Sequence, residues 1–154
     1  MIVVCDTSPL NYLVLIGEIA VLPRLFAEVI LTPGVLAELR HPRTPAVVAA
    51  WSCDLPPWIR LVAPHGAFDA LGLGLGEAEV IAVAGQIKAD AVLIDERKAV
   101  GIARECGLLV TGTLGVLALA AEAKFVDLNA SIRRLLQTNF RASPKLIDEL
   151  LRRP

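Results

Sequence analysis

The stretch Ile2-Val3-Val4-Cys5-Asp6-Thr7-Ser8-Pro9-Leu10 decides the fold of this chain. Its first four residues are all apolar, which is typical of a strand buried on both faces of a parallel sheet. The Ser8-Pro9 pair then predicts a helix that runs to Ile16, with Ser8 as the capping residue. A strand followed directly by a helix is the repeating unit of an α/β domain. Asp6 stands at the junction, where the predicted strand ends.

This strand-then-helix pattern repeats along the chain. Short, mainly apolar segments predict strands at 2–5, 28–31, 59–62, 91–94 and 108–110. Helical periodicity and capping signals predict helices at 8–16, 22–26, 33–39, 46–53, 77–88, 96–106, 113–123, 131–136 and 144–151. The glycine-rich residues 64–76 predict a loop. We therefore expect a single domain over residues 1–154, a three-layer α/β/α fold around a parallel sheet of about four or five strands.

Composition excludes several classes of protein. Hydrophobic residues make up 55% of the 154 residues, yet no apolar run nears the roughly 20 residues that a membrane span needs. The first residues lack the features of a signal peptide, so we expect a cytoplasmic protein with no membrane association. The net charge of −1 argues against a duplex-DNA binder with a large basic face. The apolar composition favours self-association or a tightly bound protein partner.

Carboxylates stand where predicted strands end or predicted helices begin. Asp6 follows the first strand, Asp95 follows Ala91-Val92-Leu93-Ile94, and Glu77 and Glu79 open a central helix. Ligands of parallel sheets gather at the carboxyl ends of the strands, and acids brought together there repel each other unless a cation lies among them. Mg²⁺ prefers such oxygen ligands. Each acid also has a structural explanation, as a helix cap, a partner of the helix dipole or a solvated side chain.

Four segments in order resemble the PIN-domain family of metal-dependent ribonucleases. They are VVCDTSPL, PGVLAEL, GEAEVIAVA and AVLIDERK. The segments DTSPLNYL, LGLGLGEAE, DERKAVGIARECGL and TGTLGVL look particularly like a bacterial and archaeal branch related to VapC-type toxins, so the resemblance covers essentially the whole chain. It implies four catalytic acids, Asp6, Glu38, Glu77 and Asp95. Of these, Asp6, Asp95 and Glu77 would bind Mg²⁺ or Mn²⁺, directly or through water.

The resemblance also implies residues around those acids. Candidates for a place beside the metal ligands are Thr7, Ser8, Asn11, Glu79 and Glu96. Residues two apart do not share a helix face, so one member of the Glu77 and Glu79 pair should point at the metal, and we favour Glu77. We likewise favour Asp95 over Glu96. Candidates for guiding the RNA are Arg40, Arg43, Arg97, Lys98, Arg104, Thr111 and Thr113.

The function implied is cleavage of single-stranded RNA by a Mg²⁺- or Mn²⁺-dependent endoribonuclease. The resemblance to VapC-type toxins further implies a VapBC-type pair, with a protein antitoxin as partner and a homodimeric toxin. Two alternatives stay open. Two of the four acidic positions offer a choice of two acids, Glu77 or Glu79 and Asp95 or Glu96. This departure from the family pattern is compatible with a catalytically idle PIN scaffold that acts through protein contacts. The LGLGLGE and TGTLG segments suggest a nucleotide-binding module, although neither matches GxGxxG or GxxxxGK[ST].

Overall fold

Five parallel strands form one sheet in the computed structural model, which describes residues 1–152. The strands are β1 (Ile2–Cys5), β2 (Glu28–Leu31), β3 (Ile59–Leu61), β4 (Ala91–Leu93) and β5 (Leu109–Thr111). Their order across the sheet is β3-β2-β1-β4-β5. The expected three-layer fold with a parallel sheet of four or five strands is therefore confirmed.

This strand order creates a switch point between β1 and β4. The chain builds outward from β1 to β2 and β3, then crosses back to place β4 on the other side of β1. Crossovers on the two sides of such a point leave a crevice at the carboxyl ends of the two central strands. Asp6 directly follows β1, and the amide of Asp6 donates a hydrogen bond to the carbonyl of Leu93 at the end of β4 (2.9 Å).

Helices cover the sheet. They are α1 (Thr7–Leu15), α2 (Leu22–Leu25), α3 (Pro33–Leu39), α4 (Ala46–Cys53), α5 (Leu75–Ile87), α6 (Arg97–Glu105), α7 (Thr113–Glu122), α8 (Leu128–Leu136) and α9 (Pro144–Leu151), with a short 3₁₀ turn at Ile19–Val21. Within residues 1–152, none of these helices combines the length and the apolar character needed to cross a bilayer.

The predicted cap of the first helix is wrong. Helix α1 begins at Thr7, and Asp6, with an extended backbone, takes the N-cap position, although its side chain makes no capping hydrogen bond. Ser8 is already inside the helix. The backbone N–H groups of a helix's first turn have no partner within the helix, so a proline, which lacks this N–H, is tolerated at any position there. Pro9 therefore did not define the residue at which the helix starts. The other two hydroxyl-proline caps are confirmed: Thr32 accepts a hydrogen bond from the amide of Val35, and Ser143 from that of Leu146.

Two other helices start earlier than their sequence signals indicated. Helix α5 begins at Leu75 after Gly74, so Glu77 lies in its first turn and Glu79 lies deeper in the helix. Helix α8 begins at Leu128 because the carboxylate of Asp127 accepts a hydrogen bond from the amide of Ala130.

The core lies on both sides of the three central strands. Val3, Val4 and Cys5 of β1 are fully buried, as are Leu31 of β2 and Leu93 of β4. Burying each large aliphatic side chain of this kind stabilises a fold by roughly 1.5–3 kcal/mol. The central strands therefore hold their carboxyl ends, and the acids that follow them, in a rigid frame.

Candidate active site

Asp6 is a buried carboxylate without a full set of hydrogen-bond partners. Its side chain is 4% exposed, and its Oδ1 atom has no hydrogen-bond partner within residues 1–152. A buried polar atom left in this condition costs roughly 1–3 kcal/mol, more if it is charged. Asp6 Oδ1 is thus a buried acceptor to which none of the described residues donates a hydrogen bond.

The surroundings of Asp6 are also electrostatically unfavourable to its charge. Burial raises the pKa of the Asp6 carboxyl from 3.8 to about 7. The neighbouring carboxylates Glu77, Glu38 and Asp95 add to this rise in pKa, and the Thr7 amide opposes it. The four acids predicted from the sequence therefore lie close enough for their charges to interact at Asp6.

Asp95 is held by the turn that leads into α7. Its two oxygens accept hydrogen bonds from the amide (2.7 Å) and the hydroxyl (2.6 Å) of Thr113. Burial raises the pKa of Asp95, and these two hydrogen bonds oppose the rise. Gly112 leaves room for this carboxylate, because a Cβ there would lie 2.6 Å from Asp95 Oδ1. Thr113, predicted as an RNA contact, thus donates both its amide and its hydroxyl hydrogen to Asp95.

Glu38 reaches the same region from α3. Its Oε2 atom accepts a hydrogen bond from the hydroxyl of Thr7, which links α3 to the start of α1. Its carboxylate also packs on Gly76, where the atoms of Glu38 leave no space for a Cβ. A glycine in the first turn of α5 therefore allows this helix to approach Glu38.

Glu77 and Glu79 have separate environments. The Glu79 side chain is 8% exposed and accepts a hydrogen bond from the amide of Gly34 in the first turn of α3 (2.7 Å). Glu77 is half-buried, and burial raises its pKa, with further increases from the charges of Glu96 and Glu38. Of the two glutamates, Glu79 is engaged in joining α5 to α3, while Glu77 interacts with the other acids.

Glu96 is the N-cap of α6. Its carboxylate accepts hydrogen bonds from the amides of Lys98 (3.1 Å) and Ala99 (2.9 Å), and these amides lower its pKa. The capping role considered for Asp95 thus belongs to its neighbour, which leaves Asp95 to the Thr113 turn. Ser8 and Asn11 are half-buried residues of α1.

The basic candidates are divided between structural contacts and open surface. The Arg40 guanidinium donates to the carbonyl of Ser52 at the end of α4 (2.7 and 3.2 Å). The Lys98 ammonium donates to the carbonyl of Gly72 (2.8 Å) and lowers the pKa of Glu77. Arg43 is exposed. The remaining candidates, Arg97, Arg104 and Thr111, line a groove that begins at Asp95.

These side chains have the chemistry of a site for a hard divalent cation. All four acids offer the oxygen atoms that Mg²⁺ and Mn²⁺ prefer, and the unpartnered Oδ1 of Asp6 lies among them. They fit such an ion in donor type and charge. Their arrangement is nevertheless loose, since residues 1–152 contain no group of three His, Cys, Asp or Glu side chains already placed for coordination. Glu38 and Asp95 meanwhile accept hydrogen bonds from Thr7 and Thr113.

Sequence reasoning missed the close-approach glycines and one arginine. Gly34, Gly76 and Gly112 each face a carboxylate that leaves no room for a side chain. The Gly-Glu-Ala-Glu and Thr-Gly-Thr runs each place a glycine at a helix start, and glycine is the residue that allows another group to approach the backbone closely. Arg141 lines the groove beside Asp95, and nothing in its local sequence indicates this.

Comparison with known proteins identifies a family. The model of the PIN domain family DUF3368 matches residues 2–154. No curated protein matches the chain. Among solved structures, the chain is similar to a PilT N-terminus domain protein from the hyperthermophilic archaeon Sulfolobus solfataricus P2. That similarity has a TM-score of 0.49 and 13% sequence identity, and it covers 93% of this chain and 100% of the other.

Proposed function

We propose that this chain, which belongs to the PIN-domain family, is a Mg²⁺- or Mn²⁺-dependent endoribonuclease that cleaves single-stranded RNA. PIN domains are typically metal-dependent nucleases. The observation that carries the proposal for this chain is the buried Asp6 carboxylate, which has an unpartnered oxygen and three acids as electrostatic neighbours. A fold maintains so unfavourable a cluster at the switch point of its sheet most readily when function requires it.

Each acid has a distinct part in the proposed site. Asp6, Asp95 and Glu77 would hold the ion, directly or through water, and Glu38 would complete the negative pocket. When bound, the divalent cation supplies the positive charge that activates a water molecule and stabilises the phosphate during hydrolysis. The RNA would enter as a single strand, because its backbone must reach a cleft between helix termini.

Neighbouring side chains prepare these acids. Two hydrogen bonds from Thr113 orient Asp95 and favour its ionised form. The Thr7 hydroxyl holds Glu38 against the start of α1. Lys98 joins α6 to the glycine-rich loop through the carbonyl of Gly72, and it partly offsets the charge of Glu77. These contacts reduce the reorganisation needed when cation and substrate bind.

A VapBC-type toxin is the biological role that we propose for this nuclease. A protein antitoxin and a homodimer follow from that role, and the apolar composition agrees with covered surface. Co-expression with a cognate antitoxin protein should relieve growth arrest caused by the native chain. Growth arrest by an Asp6→Asn variant would contradict a toxicity that depends on cleavage.

A test of the nuclease proposal compares Asp6→Asn with Asp54→Asn, an exposed aspartate at the end of α4. Native protein and the Asp54 variant should cut single-stranded RNA with Mg²⁺ or Mn²⁺ and stop when a chelator is added. Asp6→Asn should lose at least about 100-fold in rate, the scale expected when a group that stabilises transition-state charge is removed. Mn²⁺ should also raise the melting temperature of the native protein more than that of Asp6→Asn. Cleavage in chelator, or full activity of Asp6→Asn, would contradict the mechanism.

A catalytically idle scaffold is the second candidate, and the loose arrangement of the acids favours it. Glu38 and Asp95 already accept hydrogen bonds from threonines, and no preformed coordinating group of three side chains exists within residues 1–152. An idle scaffold predicts no cleavage and no stabilisation by Mn²⁺. The nucleotide-binding alternative has less support, because Gly76, which ends the LGLGLG run inside the first turn of α5, faces the Glu38 carboxylate, and this carboxylate would repel a phosphate.

A further inference from the structure

A groove of about 900 Å³ extends from the acidic pocket along one side of the molecule. Its walls come from α6, α7, β5 and the segment that precedes α9. Asp95 and Gly112 belong both to the acidic pocket and to the lining of this groove, so the two surfaces are continuous. Its floor contains the apolar side chains Val110, Leu114 and Ala118.

Three exposed arginines line the groove. Arg97 and Arg104 come from α6, and Arg141 comes from the segment before α9. None of the three forms a salt bridge with a residue in the range 1–152. Arg97 and Arg104 are seven residues apart on one helix, which places them on one face and about 10 Å apart along the axis.

Within residues 1–152, one acid besides Asp95 lines the groove, and it lies at the far end of α7. Glu122 is the last residue of that helix, nine residues after Thr113, so it is about 14 Å along the axis from the Asp95 turn. The described lining of the groove therefore carries three arginines against two acids, Asp95 and Glu122, beside apolar side chains. That combination matches a chain of phosphates with unstacked bases, which single-stranded nucleic acid offers and a duplex does not.

We propose that this groove binds the single-stranded RNA segment adjoining the bond to be cut. Arg97, Arg104 and Arg141 contact successive phosphates, and the apolar floor receives the faces of the bases. The assignment rests on the proposed nuclease function, which it deepens by naming the path of the substrate. It also predicts selection of single strands, because paired bases cannot reach the floor.

Binding of a labelled single-stranded RNA tests this assignment by fluorescence anisotropy. All proteins carry Asp6→Asn and are titrated in EDTA, so that no RNA is cut. Arg104→Gln with Arg141→Gln should weaken binding at least about tenfold and lower the slope of log K against log salt by about 1.4, since each single-strand phosphate contact contributes about 0.7. The matched control, Lys88→Gln with Arg133→Gln, removes the same charge from exposed residues outside the groove and should stay within about twofold.

The outcomes separate this proposal from the nuclease proposal. If the groove variant loses RNA affinity and the native protein does not cut RNA with Mn²⁺, the groove assignment is supported and the nuclease proposal is overturned. Cleavage by native protein, together with equal RNA affinity in groove and control variants, would overturn the groove alone. A native dimer that becomes monomeric in the groove variant, with unchanged RNA affinity, would identify an interface between two copies and also overturn the assignment.

Discussion

Replacing Asp6 by asparagine should stabilise the protein at alkaline pH in the absence of metal. In the folded state the pKa of Asp6 is raised to about 7 from its ordinary 3.8, so the folded protein retains a proton that the unfolded chain has lost. Between about pH 4 and pH 7 the folded state binds more protons, and its stability falls as pH rises. Above that window the full cost of the buried charge applies.

The expected magnitude follows from the two pKa values. The difference between 3.8 and about 7 corresponds to about 4 kcal/mol, an upper bound because water and side chains rearrange. The asparagine amide also introduces a buried donor, which costs about 1–2 kcal/mol if it finds no acceptor. We therefore expect Asp6→Asn to gain about 2 kcal/mol of unfolding free energy at pH 8.5 and nothing, or a small loss, at pH 5.

Urea denaturation in EDTA at pH 5, 6.5 and 8.5 measures this change, with Asp54→Asn as the control. A gain of this size corresponds to a rise in melting temperature of roughly 4–8 °C for a domain of this length. The control should differ from native protein by less than about 0.5 kcal/mol at each pH. An Asp6→Asn variant that is less stable than native protein at pH 8.5, or whose effect is the same at all three pH values, would refute the reasoning.

Two further predictions concern the supports of the acids. A Cβ at position 112 would lie 2.6 Å from Asp95 Oδ1. Gly112→Ala should therefore lower the free energy of unfolding by about 1–3 kcal/mol in urea denaturation and slow RNA cleavage at least about tenfold. The control Gly101→Ala, at an open helix position, should raise the free energy of unfolding by about 0.5–1 kcal/mol. Glu79→Ala leaves the Gly34 amide without its acceptor, so it should lower the free energy of unfolding by about 2 kcal/mol while retaining cleavage. Glu77→Ala should lose cleavage while keeping the native stability. A Gly112→Ala enzyme with native rate, or a Glu79→Ala enzyme as inactive as Glu77→Ala, would show that these assignments are wrong.

Much of the fold was predictable because its signals are local. Short, mainly apolar segments indicate parallel strands, and all five strands appear within one residue of their predicted bounds. The caps at Thr32 and Ser143 were predictable for the same reason, since a hydroxyl before proline acts within one turn. The start of α1 was not, because Pro9 fits any position of a first turn.

The environments of the candidate site residues depend on longer distances. Sequence spacing cannot show that Glu79 meets the amide of Gly34, which is 45 positions away, or that Arg40 bonds the carbonyl of Ser52. It equally cannot show that Thr113 is occupied by Asp95. Each of these contacts joins elements brought together only by packing, and each consumes the polar atoms of a residue that looked available for function.

The sequence alone determined that Asp6 and Asp95 each follow a strand of a parallel sheet, because apolar segments and their alternation with helices are local patterns. The tertiary structure made these two strands neighbours. Only the tertiary structure decided how the doubled acids divide, with Glu79 and Glu96 bonding backbone amides while Glu77 and Asp95 interact with buried Asp6. The physical reason is that a carboxylate accepts whichever donors the surrounding elements place beside it. Those donors come from distant parts of the chain, so no local pattern records them.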